Sequence, residues 1–529
     1  MSLGAKSGTV SPALSVAALC LGGMAASLTQ TVVIPIQSEL PGLLGTSASS
    51  AAWVVTVTLL AAAVSMVVAG RLGDLLGKQR VLVASVMILL AGTVLCAVSS
   101  TLVPMLVGRA MQGMAMGVVP VGISLIRQIT PPAMAPTALA SMSATLGVGG
   151  AIGLPLSAWI VNVSDWHALF WVTAAIDVVV LLLLVLLVPH VHDAHGGSLD
   201  VAGVIGLAAG LVAFLIGISK GGDWGWASPS TLGSILGGLV VLVVWGVYEL
   251  RRAEPLVDLR SSAKRQVLMT NAAAIAVGFG MMAQAIVAPQ LLQLPRSTGY
   301  GLGQSVLAAG LWMAPGGLMM MLFAPVSSKL IATVGARVTM MTGALVLSAG
   351  YALGALWMDA SWELLLVACV TSAGVGIGYA AMPTLIMDAT PPSKAGAAVG
   401  LNSLSRSVGT SLAAAVMGTL LASNTTTLAG VGYPTHEAFR LCFVIGAVAA
   451  LLAVMLAGAV SVGRSSRTAD IGPVPGSGGA ATAVTTGAPA NADPLTSTEV
   501  PVGPGSAPSA ASAPAARTTT ETSDVTTVA

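Results

Sequence analysis

The segment Gly70-Arg-Leu-Gly-Asp74-Leu-Leu-Gly77-Lys78-Gln-Arg80 joins two long apolar stretches, 51–70 and 81–99. Glycine admits φ > 0 in a tight turn and lets two backbones approach closely. Asp74 can accept from a helix N-terminus or pair with Lys78 or Arg80. A charged latch of this kind would hold one conformation and release in another. The alternative is a plain basic anchor at a membrane face, which needs neither the glycines nor the acid.

Working outward, the flanking stretches are two of many. A helix needs about 20 apolar residues to cross a bilayer. Fourteen such stretches occur, at 13–36, 51–70, 81–99, 102–126, 137–161, 168–188, 200–219, 231–248, 267–289, 303–326, 338–357, 362–386, 396–421 and 438–460. Composition agrees. Of 529 residues, 55% are hydrophobic and 8% charged, against about 25% charged in soluble domains. The net charge of +2 gives no basic face for nucleic acid. Four cysteines make no disulfide scaffold, and Cys20, Cys96, Cys369 and Cys442 all lie in or beside spans as packing residues. The first stretch carries Thr29, Gln30 and Thr31 and lacks a basic leader, so it reads as a span and not a cleaved signal.

Residues 464–529 are rich in Ala, Thr, Pro, Ser and Gly, without an aromatic, and read as a disordered cytosolic tail. The remaining 463 residues leave about 33 per span, with no room for a separate soluble domain. An even number of spans puts both termini on one side. That side would hold 16 of the 21 Lys and Arg residues, against three opposite (Lys220, Arg296, Arg440) and two inside spans (Arg109, Arg406). The positive-inside rule therefore makes both termini cytoplasmic in a multi-pass protein of the cell membrane.

The chain also repeats itself. Residues 124–132, SLIRQITPP, and 384–392, TLIMDATPP, share five of nine positions at an offset of 260. The segment 70–80 is echoed by SKLIATVGAR at 328–337, but with Ala332 where the acid would stand. Only the first copy can form the latch. The organisation expected is a six-helix half at 1–190, two inserted helices and a cytosolic linker at 191–266, and a second six-helix half at 267–463. Internal repeats of this kind are typical of secondary transporters, with substrate handled between the halves.

Polar residues inside spans are the functional candidates. Arg109, followed by Gln112 and Gly113, lies roughly 10 Å into the fourth span at 1.5 Å rise per residue. A buried Arg is costly unless paired or hydrated, though a snorkelling Arg is the alternative. Asp177 is the one acid in the middle of a span. Ionised at mid-helix it costs about 2.5–3.5 kcal/mol on insertion scales, which suits it to binding a proton; the alternative is a structural acid. Gly149 and Gly153 make a small-xxx-small face, and Pro155 interrupts the same helix. Met281, Met282 and Met319 to Met321 are candidates to line an adaptable cavity, or are ordinary packing. His190, His192, Asp193 and His195 cluster on a loop, and a solvated loop is the better reading than a metal site.

With these motifs together, the chain resembles the major facilitator superfamily. The segment 70–80 is similar to its Gly-x-Leu-x-Asp-x-x-Gly-basic switch loop, and Arg109-Ala-Met-Gln112-Gly113 to its Arg-x-x-Gln-Gly motif, which implies proton transfer. Residues 165–170 resemble the start of span six, and Asn402 to Gly409, with Arg406 between, the matching part of span thirteen. The span count points to the fourteen-span drug:proton antiporter branch (EmrB/QacA type). Two departures stand out. Span five has Leu154 between Gly153 and Pro155, with Ser157 and Ala158 where that branch has glycines. Span one reads Leu28-Thr29-Gln30-Thr31-Val32-Val33, with Thr29 where the branch usually has an acid.

The expectation is an all-α polytopic membrane protein with the major facilitator fold: fourteen spans, two six-helix halves plus two inserted helices. Its function would be proton-coupled export of amphipathic small molecules by alternating access. Asp177 and Arg109 are the coupling candidates, with Gly70, Asp74, Gly77, Lys78 and Arg80 as the switch. Thr29, Gln30, Gln112, Gly113, Gly149, Gly153, Pro155, Asn402 and Arg406 are the cavity and gating candidates. Its partners would be a small-molecule substrate, protons and the bilayer, acting as a monomer. No cofactor, metal or nucleic acid is expected. No GxxxxGK[ST] loop is present, so ATP is not expected. Export or import of one metabolite and uniport are the alternatives, and a polytopic enzyme is the least favoured.

Overall fold

The computed structural model describes residues 11–37, 39–191, 198–428 and 431–460. The tail at 464–529 and His192, Asp193 and His195 lie outside these. Among the described residues, fourteen helices are long and apolar enough to cross a membrane. The first six are α1 (Pro12–Ile36), α2 (Ser49–Leu76), α3 (Lys78–Ala97), α4 (Leu102–Ile129), α5 (Ala135–Val163) and α6 (His167–Leu187). Two more follow, α7 (Val201–Trp224) and α8 (Pro229–Arg251). The last six are α9 (Arg265–Gln293), α10 (Val306–Val334), α11 (Ala336–Leu356), α12 (Ser361–Ala389), α13 (Pro392–Ser423) and α14 (His436–Gly458).

Each helix is apolar enough to stay in lipid, and its ends are set by local chemistry. Ser228, Ser305 and Thr435 are N-caps, accepting from the backbone N–H groups of Thr231, Ala308 and Ala438. The segment around Asp74 is not the extended loop its composition suggests. Helix α2 runs through it to Leu76, and one residue, Gly77 at φ 97°, turns the chain into α3. A side chain is strained at such φ, which explains the glycine. The echo repeats the device: Gly335, at φ 88°, is the single-residue turn between α10 and α11.

The two sets of six pack alike. Helix α1 lies on α5 and α6, α2 on α4, and α3 on α4 and α6. Correspondingly, α9 lies on α13 and α14, α10 on α12, and α11 on α12 and α14. The sets meet through α2 against α13 and α5 against α10, a pair of contacts that exchange under the repeat. One element lies beyond the sequence reading. A short antiparallel hairpin, β1 (Thr425–Leu428) and β2 (Val431–Pro434), connects α13 to α14. Its Thr, Val and Tyr content favours strand.

The apolar core is divided. At the end bearing Gly77 it crosses between the sets, with Ile386 and Val399 packed among Leu82, Val121 and Ile126. At the opposite end the cores separate. One is built wholly within residues 32–170 and another around Tyr351, Phe439 and Phe443. The sets therefore share a core at the Gly77 end, while toward the other end α5 and α10 stay in contact at Pro155 and Gly310.

The junction at the Gly77 end is backbone-close. A Cβ on Gly70 would meet the carbonyl oxygen of Gly396, and one on Gly400 that of Met66. Gly400→Leu is expected to wedge α2 from α13, at an overpacking cost of about 1–3 kcal/mol. Gly418 lies on the same helix with open space at its Cβ. Thermal unfolding in detergent should show a lowered melting temperature for Gly400→Leu and no lowering for Gly418→Leu.

Candidate functional site: a latch, a cavity and a buried polar relay

Asp74 sits near the end of α2, 1% exposed. Its carboxylate does not point at the next loop but reaches the other set of helices. The backbone N–H of Gly396 donates to Oδ1 at 3.1 Å and that of Ala397 to Oδ2 at 3.0 Å. These are the first free N–H groups of α13, where the helix dipole favours negative charge. Hydrogen bonds to a charged group are worth about 1.5–3 kcal/mol each. Lys78, one turn on and equally buried, places its ammonium 3.7 Å from the same carboxylate. Gly70 and Gly396 make the approach possible, as above. Arg80 is exposed at the start of α3. Of the switch candidates, Gly70, Asp74 and Lys78 thus form one closed contact, with Gly77 as the turn beside it.

Further ties close the same end. Arg127 Nη2 donates to Asp388 Oδ1 at 2.9 Å, joining the two copies of the repeated nine-residue segment. Thr137 of α5 and Ser328 of α10 share a hydrogen bond of 2.7 Å. The linker after α8 contributes too. Asp258 accepts from Lys394 Nζ at 2.6 Å, and Lys394 lies two residues before Gly396, the first of the N–H groups that hold Asp74. Burial pushes the Asp258 carboxyl up, but the hydrogen bonds from Lys394 and Ser261 outweigh it and hold the group below its usual value.

The opposite end is open, in two adjoining lobes. The first, about 790 Å³, lies between α1, α5, α9 and α10. Met281, Met282, Met313 and Met320 supply its apolar wall, and Gln284 and Ser372 add polar groups. Met319 and Met321 do not line it, and Met321 is exposed instead. The second lobe, about 700 Å³, lies between α1, α2, α9 and α13, with Arg109 reaching it from α4 and Ser219 from α7. Gln30, Thr31, Gln293 and Thr410 line both. Among the described residues, Arg109 is the one charged side chain lining either lobe.

The remaining candidates sit behind this surface. Gly149 and Gly153 of α5 lie against the backbone carbonyls of Met24 and Leu28 in α1, as close-packing positions. Gly113 lies against the Thr58 carbonyl, and Pro155 beside Gly310 of α10. Asn402 Nδ2 donates to Asn271 at 2.9 Å. Arg406 stacks its guanidinium 4.5 Å from the Tyr379 ring centroid and lines neither lobe. Sequence reasoning names Gln30 but misses its neighbour Thr31, since only the packed bundle shows which face of α1 is wet.

Arg109 and Asp177 are both 1% exposed and are joined by a chain of bonds. Arg109 Nε donates to the Val54 carbonyl at 3.2 Å, and Nη1 to the Thr29 carbonyl at 3.0 Å and Gln112 Oε1 at 2.7 Å. Gln112 Nε2 donates to Thr93 Oγ1 at 3.0 Å. Thr93 Oγ1 lies 3.0 Å from Asp177 Oδ2 and 2.8 Å from the Leu89 carbonyl. One hydroxyl hydrogen cannot serve both. With a proton on Asp177, the acid donates to Thr93 and Thr93 to Leu89, and every bond is made. Asp177 Oδ1 has no partner among the described residues, a cost a neutral acid bears better than a carboxylate. Thr93 is the member that sequence reasoning misses, since a lone Thr in an apolar span carries no motif.

The relay predicts a split between two substitutions. Thr93→Ser keeps the hydroxyl and should behave as the native protein. Thr93→Val strands Asp177 and Gln112, each buried group left unpaired costing about 1–3 kcal/mol. The checks are detergent melting temperature and the vibrational band of the Asp177 carboxylic acid. That band should shift in Thr93→Val and stay in Thr93→Ser.

Comparison with known proteins agrees with this fold. Residues 19–332 and 270–488 match the Major Facilitator Superfamily. An uncharacterised MFS-type transporter of Mycobacterium tuberculosis is 27% identical over 408 residues, 76% of this chain. This chain spans only 58% of that relative's length. The tetracenomycin C resistance and export protein of Streptomyces glaucescens is 26% identical over 417 residues, 77% of this chain and 75% of the relative. The crystal structure of a human organic anion transporter superposes with a TM-score of 0.60 at 16% identity, covering 84% of this chain and 99% of that one. The chain belongs to the major facilitator superfamily.

Proposed function

We propose that this protein is a secondary transporter that exports neutral or anionic amphipathic small molecules in exchange for protons, by alternating access. The observation that carries the reading is the two-lobed cavity, closed at the latch and open at the other end. Its glutamines and hydroxyls suit acceptor and donor groups, and its methionines adapt to varied apolar shapes. A strongly cationic drug would meet Arg109 and no acid there. The export named in the Streptomyces relative supports the direction.

The latch end carries most of the basic residues, so in this reading it faces the cytoplasm of a cell membrane, as do both termini. The cavity then faces outward. The protein works as a monomer of two six-helix halves, 1–190 and 267–463, around an inserted pair with its linker at 191–266.

Asp177 is the proton site in this scheme. Where related antiporters carry an acid in span one, this chain has Thr29, whose backbone carbonyl accepts from Arg109 instead. The relay connects Arg109 to the nearest buried acid on its chain of bonds, Asp177. A proton arriving from outside would neutralise Asp177, and its departure inside would leave a carboxylate that draws on Arg109. Uniport is the second reading, favoured by the same missing acid.

The test uses purified protein in vesicles with an imposed pH gradient and a lumenal pH dye. Neutral and anionic amphiphiles should drive proton movement, and dications should do so at least about tenfold more slowly. Asp177→Asn should abolish the proton signal while substrate binding persists. Substrate movement without protons, or full coupling in Asp177→Asn, would defeat the antiport scheme.

A further inference from the structure

Helices α7 and α8 belong to neither repeat. Their packing differs sharply. Helix α8 rests on α7 and leaves Leu232, Leu236, Val240 and Val244 exposed, as a lipid-facing helix would. Helix α7 instead lies over the seam between α2 and α13. Its Leu207, Leu211 and Leu215 share one cluster with Leu60, Ala63 and Val67 of α2 and Leu404 of α13.

At the latch end that seam is shut by Gly70, Gly396 and Gly400, and α7 covers it from outside through this apolar cluster. Toward the open end α2 and α13 part, and the second lobe lies between them. Polar pins hold α7 across this gap. Lys220, 4% exposed, stands 5.5 Å from the Trp53 ring of α2 and donates to Asp223 at 3.1 Å. Just beyond the helix, Trp226 Nε1 donates to Thr419 Oγ1 of α13 at 3.0 Å. Between these pins and the apolar cluster, Ser219 enters the lining of the lobe.

The lobe has a built polar wall. Arg109 lines it, and its hydrogen bonds use Nε and Nη1. Nη2 makes none among the described residues, on a side chain that is 1% exposed. Thr58, Ser411 and Ser219 add hydroxyls from α2, α13 and α7.

We infer that the inserted helix α7 completes a second subsite, which takes the anionic oxygen of an amphiphile, a carboxylate or phenolate, on Arg109 and Ser219. The apolar body of the same molecule occupies the first lobe against its methionines. The inserted pair is then part of substrate recognition: α7 walls the lobe and α8 shields that wall from lipid. This rests on reading the cavity as the substrate site, and it assigns Ser219 as a residue that sets charge preference.

The experiment compares 1-pyrenebutyrate with 1-pyrenebutanol, which differ only in the carboxylate. Ser219→Cys is made in full-length protein with its four native cysteines replaced. It is reconstituted in vesicles and treated with a membrane-impermeant methanethiosulfonate. Modification of the thiol introduced by Ser219→Cys should be slowed about tenfold by the butyrate and little by the alcohol, as expected for one hydrogen-bonded charge. Ser219→Trp should weaken butyrate binding about tenfold and spare the alcohol. Equal protection by both probes, protection by neither, or labelling only by lipid-soluble reagents would overturn the inference. Because these readouts are binding, the outcome is separate from transport. Selective protection without any transport would uphold the subsite and defeat the export reading, while transport of both probes without selectivity would do the reverse.

Discussion

One carboxylate organises the closed end of this molecule. Asp74 is buried in a helix that must stay in a membrane, so its charge has to be met by something. Its partners, the N–H groups of Gly396 and Ala397, lie more than three hundred residues away on the other half. The bond can form only when α2 and α13 touch, and they touch only because Gly70, Gly396 and Gly400 have no side chains in the way. The apolar core is shared at that end and divides toward the other. The cavity lies at the end away from the latch.

Buried polarity is otherwise arranged with economy. Arg406 is placed on an aromatic face, a cation–π contact that stabilises it where no acid among the described residues is paired with it. Arg109 is spread over two backbone carbonyls and a glutamine, which leaves one edge for the cavity. Asp177 hangs on a single hydroxyl. The second half has a neutral counterpart, where Thr371 bonds Gln284 and Tyr351 bonds the Gly280 carbonyl. Among the described residues, the repeat therefore keeps its helices but has a buried acid in the first set of six and none in the second.

Much of the fold is legible in the chain because the membrane imposes it. Apolar length fixes a span, and a repeated segment fixes the pairing of halves. Arg127 and Asp388, one from each copy of that segment, meet in the structure as an ion pair. Gly77 reads correctly as a turn, but the helix before it runs further than its polar composition suggests. Of its polar residues, Asp74 is buried against α13 and Arg71 is half-buried beside the linker after α8. The candidate site is less legible. Asp74 can be named from the chain without its partner, since backbone N–H groups have no residue identity to find. Thr93, Thr31 and Ser219 are single small polar residues in apolar helices, and only the packed bundle says which face they occupy. Gly149, Gly153 and Gly113, gating candidates by their motifs, lie at helix contacts. In sequence a glycine that serves packing looks like one that serves motion.

The central claim is that the Asp74 carboxylate holds the halves together at one end and so sets which end is open. Distance measurement between spin labels tests it directly. Leu76 and Pro392 are exposed at the latch ends of α2 and α13. Labels on cysteines placed there, in protein freed of its native cysteines, should give one short distance with Asp74 present. Asp74→Asn removes the charge but keeps the size, and a second, longer population should then appear. An unchanged distance distribution in Asp74→Asn would mean that the glycine contacts alone close this end and that Asp74 is not the latch.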